Sequence, residues 1–117
     1  MTGPDAHWAA GYVGTPWVAG TAECWHFAGL VWRERFGIEL GRDPMAARHA
    51  WARVDAPREG DAVLMARRPG RPCHVGIYLD PGLVLHCVEG AGGVVTPLGR
   101  LGDLGYRLHG LWRRVGP

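Results

Sequence analysis

Apolar positions recur at helical spacing early in the chain and at strand spacing later. Between Cys24 and Phe36, the residues Phe27, Leu30 and Val31 share one face at i, i+3 and i+4, and Gly37 follows as a C-terminal stop. A helix is predicted over Cys24–Phe36. A short first helix is predicted over Asp5–Val13, capped by Asp5 and ended by Gly14 and Pro16. Asp43-Pro44 supplies a cap and a proline for the first helical position, which predicts a third helix over Pro44–Arg53. The second half changes period. Asp61–Ala66 is apolar and of strand length, and Arg67–Pro72 reads as a turn. Cys73–Leu79 and Leu83–Val88 flank Asp80-Pro81-Gly82, a strong hairpin signal. Val94–Pro97 and Tyr106–Val115 read as two further strands, the last weakened by Gly110. Helices first and antiparallel strands after predict an α+β fold in one domain over residues 1–117. The N-terminal helices pack on one side of an antiparallel sheet of about five strands.

Composition narrows the chemistry. With 117 residues, 47% of them hydrophobic and 21% charged, the chain reads as globular with one modest core. A net charge of +2 is too mild to suggest a nucleic-acid partner. The longest basic cluster, Arg67-Arg68 with Arg71, reads as a solvated turn. No apolar run is long enough to predict a membrane span. Met1–Tyr12 lacks the basic start and apolar core of a secretory signal, so the three cysteines are expected as free thiols. Ser, Asn, Gln and Lys are absent, so a nucleophilic enzyme built from this chain must use Cys or Thr.

Cys24 falls at the predicted start of a helix, where unpaired N–H groups and the helix dipole favour a thiolate. A buried structural cysteine is the alternative there. His74 and His86 each sit inside an apolar strand, where an imidazole needs a partner. Together with Cys24 they match a nucleophile, base and orienter. The arrangement requires both rings on one face. A two-residue turn would separate them, whereas a three-residue loop over Asp80–Gly82 pairs Leu79 with Leu83 and sets Gly76 opposite His86. That connection is predicted, with Gly82 in the left-handed position. Cys73 and Cys87 alternate away from the histidines and are expected in the core. A metal site from Cys24, His74 and His86 is a remaining alternative, although no Cys-x-x-Cys or His-x-x-x-His spacing supports it. No metal and no cofactor are expected. Trp17 and Trp25 flank Cys24 in sequence and are candidates to shape a substrate groove.

Several segments together resemble the NlpC-type cell-wall cysteine peptidases. Thr15-Pro16-Trp17, Gly20 and Glu23-Cys24-Trp25 resemble the nucleophile segment, and Glu59-Gly60-Asp61-Ala62-Val63 the first strand. Cys73-His74-Val75-Gly76-Ile77-Tyr78-Leu79 and Val84-Leu85-His86 resemble the two histidine strands. The likeness covers about Tyr12 to Val95. It implies a papain-like fold and hydrolysis of peptide bonds in peptidoglycan stems, often beside a D-glutamyl or diaminopimelyl residue. By position, Cys24 is then the nucleophile, His74 the base and His86 the third polar residue. Cys24-Trp25 followed by Trp32–Leu40, together with Leu85–Gly90, resembles the tail-associated peptidases of long-tailed phages and gene transfer agents. That branch implies assembly in a host cytoplasm into a virion tail tip, with other tail proteins as partners. An inactive structural component on the same fold is the alternative. The chain departs from the family pattern at Glu23, where Asp is usual, and at His26, where Gly is usual. Trp17 stands where a tyrosine often assists the oxyanion, so an indole N–H would have to serve there.

Overall fold

A computed structural model describes residues 4–20, 23–39 and 50–115. A 3-10 helix over Pro4–Tyr12 precedes the α-helix α1, Cys24–Phe36. Six strands follow: β1 Trp51–Val54, β2 Ala62–Arg68, β3 Arg71–Leu79, β4 Leu83–Val88, β5 Gly92–Pro97 and β6 Arg107–Arg114. A second 3-10 segment, Leu98–Leu104, lies between β5 and β6. The strands form one antiparallel sheet in the order β1-β6-β2-β3-β4-β5. The α+β architecture expected from the sequence is therefore the observed one.

The bounds of α1 and β4 coincide with those predicted from the apolar pattern. Gly37 closes α1 in the left-handed conformation, and its N–H is donated to Trp32 O. The expected short first helix is present, as a 3-10 helix over Pro4–Tyr12. Two expectations change. The predicted turn over Arg67–Pro72 is narrower, because Arg68 and Arg71 pair across β2 and β3. Exposed arginines carry no apolar signature, so the pattern missed these strand ends. In the predicted third helix, residues 44–49 lie outside the described residues, and Trp51–Val54 is a strand on the edge of β6. Trp and Val favour a pleated, half-buried surface, and the pairing with β6 supplies their backbone partners.

The sheet carries a core on each face. On one face Val75, Ile77, Leu79, Leu85 and Cys87 pack against Phe27, Ala28, Val31 and Trp32 of α1. Trp32 is fully buried, and its indole N–H donates to Gly60 O at 2.8 Å, tying α1 to the start of β2. On the other face Val63, Met65, Tyr78, Val84, Leu101, Tyr106 and Leu111 form a second cluster. Side chains alternate along a strand, so β3 and β4 each serve both cores. No helix among the described residues is long and apolar enough to cross a membrane.

The segment before α1 is clipped to β5. Gly14 N donates to Gly93 O, and Gly93 N donates to Thr15 O, both at 2.8 Å. This anchors Thr15-Pro16-Trp17 beside the start of α1. Glu23, the residue before Cys24, does not cap the helix with its side chain. Its carboxylate instead accepts the Gly20 N–H at 2.7 Å and closes the short link into α1.

Candidate active site

The β3–β4 hairpin brings His74 and His86 together. Leu79 pairs with Leu83, Tyr78 with Val84 and Ile77 with Leu85, the register of a three-residue loop. Gly82 takes the left-handed conformation at φ 69°, as the loop requires. Its N–H donates to the Tyr78 hydroxyl at 2.8 Å. Both histidines therefore fall on the face that also carries Tyr78 and Val84. His74 Nε2 lies 2.8 Å from His86 Nδ1, and His86 Nε2 lies 2.9 Å from Thr96 Oγ1 on β5. The result is a polar chain, His74–His86–Thr96, spanning three strands.

Gly76 makes room for this contact. A Cβ there would stand 2.5 Å from Val84 Cγ1 and 3.1 Å from His86 Cβ. Gly76→Ala is expected to cost about 1–3 kcal/mol of stability through overpacking. Urea unfolding measures it, and a variant as stable as the parent would refute this packing.

His74 stacks on Tyr106, with ring centroids 4.6 Å apart and 7° between the planes. The Arg67 guanidinium lies 4.5 Å from the centroid of the same Tyr106 ring, and its Nη2 donates to the Tyr106 hydroxyl at 3.3 Å. The sequence reading missed Thr96, Tyr106 and Arg67. None of them belongs to a motif, and only strand pairing brings them to the histidines.

Cys24 approaches from the opposite core, and the hydrogen-bond pattern of β3 explains how. Tyr78 directs its N–H to Asp61 O and its C=O to Gly60 N, on the β2 side. Alternation along the strand turns the Val75 N–H towards β4. There the β3–β4 ladder has already ended at Ile77 and Leu85. The freed Val75 N–H and the Trp25 N–H both donate to the Cys24 sulfur. Cys24 thus sits at the mouth of the gap between the two histidine strands, partly exposed. The hydrogen bonds among the described residues include none between Cys24 and His74.

Burial sets the charge state of the site. It pushes the Cys24 thiol up, and the two backbone N–H donors offset only part of that rise. The thiolate expected from the helix N-terminus is therefore not the resting form, because desolvation outweighs the donors. His74 is held down to about 3 by burial first, then by His86 and Arg67. His86 is lowered to about 4 by burial. Both rings rest neutral.

Cys87 is buried as expected, but Cys73 is exposed. The first three residues of β3, Arg71 to Cys73, extend past the cover of α1 and remain in solvent. Trp17 and Trp25 lie partly buried against the α1 core. The hydrogen bonds among the described residues include none from either indole. His26, at the position where a glycine was expected, is exposed. Among the described residues no three His, Cys, Asp or Glu side chains come close enough to hold a metal ion.

Comparison with known proteins agrees with the fold. Among solved structures, an NlpC/P60 family protein from Bacillus cereus superposes with a TM-score of 0.72 at 24% identity, over 93% of this chain and 38% of that one. A lipoprotein-like NLP/P60 family protein from Staphylococcus aureus gives 0.68 at 23% identity, over 93% of this chain and 39% of that one. The NlpC/p60 domain of the peptidoglycan hydrolase SagA gives 0.62 at 24% identity, over 86% of this chain and 89% of that domain. The chain thus spans less than half the length of the first two and nearly all of the third. No curated protein matches. The family model described as NlpC/P60 matches residues 12–99, the stretch that holds Cys24, both histidine strands and Thr96. On that match the chain belongs to the NlpC/P60 family.

Proposed function

We propose that the protein is a cysteine peptidase that hydrolyses peptide bonds in peptidoglycan stem peptides, and that it works at the tip of a phage or phage-like tail. The observation that carries the chemistry is the His74–His86–Thr96 chain with Cys24 at the adjoining gap. Family membership and the likeness to a peptidoglycan hydrolase domain support the cell wall as target. The tail tip rests on the resemblance of Trp32–Leu40 and Leu85–Gly90 to tail-associated peptidases, and implies neighbouring tail proteins and a place in the virion.

The mechanism follows from proton bookkeeping. His74 Nε2 is occupied by His86, so Nδ1 is the nitrogen left to take the Cys24 proton. For His74 to become an imidazolium, its Nε2–H must donate to His86 Nδ1. His86 then carries its proton on Nε2 and donates to the Thr96 hydroxyl oxygen. This polarity holds His74 in the tautomer a base needs. The Cys24 sulfur attacks the peptide carbonyl as its proton passes to His74. Backbone N–H groups at the start of α1 stabilise the oxyanion. His74 gives the proton to the leaving amine, forming a thioester. Water, deprotonated by His74, then releases the acid and regenerates Cys24. Trp17 and Trp25 line the approach. Because thiol and imidazole rest neutral, the proton moves with the attack rather than before it.

A second reading, an inactive tail component on the same fold, is favoured by the missing Cys24–His74 hydrogen bond and by the short Gly20–Cys24 link. Digestion of purified peptidoglycan decides between them. Soluble stem fragments with new amino termini are expected. Intact peptidoglycan under conditions where the protein is folded would move the assignment to the structural component.

A further inference from the structure

We propose that Tyr106 is the positioning residue of the base: its ring fixes the plane of the His74 imidazole and so directs Nδ1 towards the Cys24 sulfur. The proposal rests on the peptidase reading above. Tyr106 lies beyond residues 12–99, the stretch that the family model matches. One hydrogen bond does not hold an imidazole. His86 Nδ1 pins one atom of the ring, His74 Nε2, at 2.8 Å. Rotation about the Cβ–Cγ bond is a broad torsion in histidine, so the pinned ring can still turn, and Nδ1 turns with it. His86 meets the ring edge-on, with 71° between the planes and 5.1 Å between the centroids. Tyr106 supplies what that contact leaves open. Its ring is 7° from parallel to the imidazole with centroids 4.6 Å apart, an offset stack. A fixed atom and a fixed plane leave His74 one orientation.

Tyr106 is itself firmly held. Its backbone N–H donates to Leu101 O at 3.1 Å, closing the 3-10 segment that precedes β6. Gly105 makes that turn in the left-handed conformation at φ 82°, and a Cβ there would stand 3.0 Å from Arg67 Nη1. Tyr106 is 9% exposed and belongs to the core that contains Met65 and Leu101. The Arg67 guanidinium lies 4.5 Å from the ring centroid, and its Nη2 donates to the hydroxyl at 3.3 Å. The ring face serves His74 and the hydroxyl serves Arg67, so stack and anchor use different parts of one side chain.

The same cover controls charge. Around His74 stand His86 from β4, Arg67 from the end of β2, Tyr106 and, across the gap, Cys24. Burial pushes the Cys24 thiol and the Tyr106 hydroxyl up, so neither is an anion at rest. Burial is also the first cause of the low His74 pKa. A ring shielded from water is harder to charge, so removing the tyrosine plane hydrates His74 and raises its pKa. The attraction of a tyrosine face for an imidazolium acts in the opposite sense, and Arg67 already engages it. Orientation and charge state of the base thus depend on one side chain.

Tyr106→Phe and Tyr106→Leu separate positioning from packing. Phe keeps the plane and loses only the hydroxyl anchor, whereas Leu keeps apolar bulk and has no plane. The substrate is an L-alanyl-γ-D-glutamyl-diaminopimelyl peptide. Tyr106→Phe is expected within about threefold of the parent, and Tyr106→Leu to lose about 10- to 100-fold in kcat with KM within about twofold, the scale of a misplaced catalytic group. Proton NMR of the imidazole C–H signals follows His74 directly and needs no turnover. His74 is expected to stay neutral down to about pH 5 in the parent and in Tyr106→Phe, and to begin protonating above about pH 5 in Tyr106→Leu. Parental kcat in Tyr106→Leu would reduce Tyr106 to bulk and overturn the proposal. So would a Phe variant as impaired as the Leu variant, or a His74 titration that Leu leaves unchanged. A parent that cleaves no stem peptide would sink the peptidase reading, and the titration alone would then uphold or overturn the hold of Tyr106 on His74.

Discussion

Cys24→Ala is expected to abolish release of stem fragments, and His74→Ala to lower kcat/KM by about 10³- to 10⁴-fold. The size follows from the resting state. Burial pushes the Cys24 thiol up, so at neutral pH the sulfur carries its proton and attacks only as His74 removes it. His86 cannot replace His74, because it is committed to His74 Nε2 and Thr96. The same argument predicts how the free thiol behaves. In a Cys73→Ala background, which removes the exposed thiol, alkylation of Cys24 is expected to rise through pH 9 and beyond. A preformed thiolate–imidazolium pair would instead react at an almost constant rate from mildly acidic pH upward. His74→Ala should therefore damage turnover far more than alkylation. Turnover within about threefold of the parent, against the 10²- to 10⁴-fold range of acid–base catalysis, would remove His74 from the mechanism.

Folding stability is expected to fall steeply as pH drops below 6.5. His74 and His86 are 7% and 0% exposed. In the folded protein their pKa values are lowered to about 3 and about 4. In the unfolded chain both return to about 6.5. Above 6.5 neither state binds the protons, and the stability contribution is fully present. Below 6.5 the unfolded chain is protonated and the folded protein is not, so unfolding gains until the folded pKa values are reached. Each ring is worth up to about 1.4 kcal/mol per pH unit in that window. Between pH 6.5 and 4.5 the pair amounts to roughly 5 kcal/mol at most, a large share of a small domain's total. Urea unfolding at stepped pH measures the slope, which His86→Gln should roughly halve. A flat profile from pH 7 to 5 would mean that the rings are solvated or already charged in the folded state.

Much of this site was legible in one dimension. The spacing of apolar residues sufficed for α1 and β4 because each is long, regular and buried along one face or both. The register of the β3–β4 hairpin followed from a parity argument, since side chains alternate and the two imidazoles had to share a face. The family resemblance of Cys24, His74 and His86 lay in local segments whose residues are adjacent in sequence. These features depend on short-range geometry, which period and turn chemistry express directly.

The remainder depended on which segments meet in space. Trp51–Val54 became a strand because β6 offered an edge, and Arg68 with Arg71 extended a ladder that no apolar residue marks. The thiol of Cys24 was raised rather than lowered. Helix position predicts the sign of the local field, whereas burial, which overrode it, is set by everything packed around the sulfur. Cys73 alternates with His74 as the period requires, yet is exposed, because the covering helix does not reach the end of β3. Thr96, Tyr106 and Arg67 come from three different strands or their edges and carry no motif. Sequence by itself determined the periods, the turn and the chemical types available. Only the tertiary structure decided which of those side chains share a low-dielectric site, because pKa and tautomer are properties of neighbours in space.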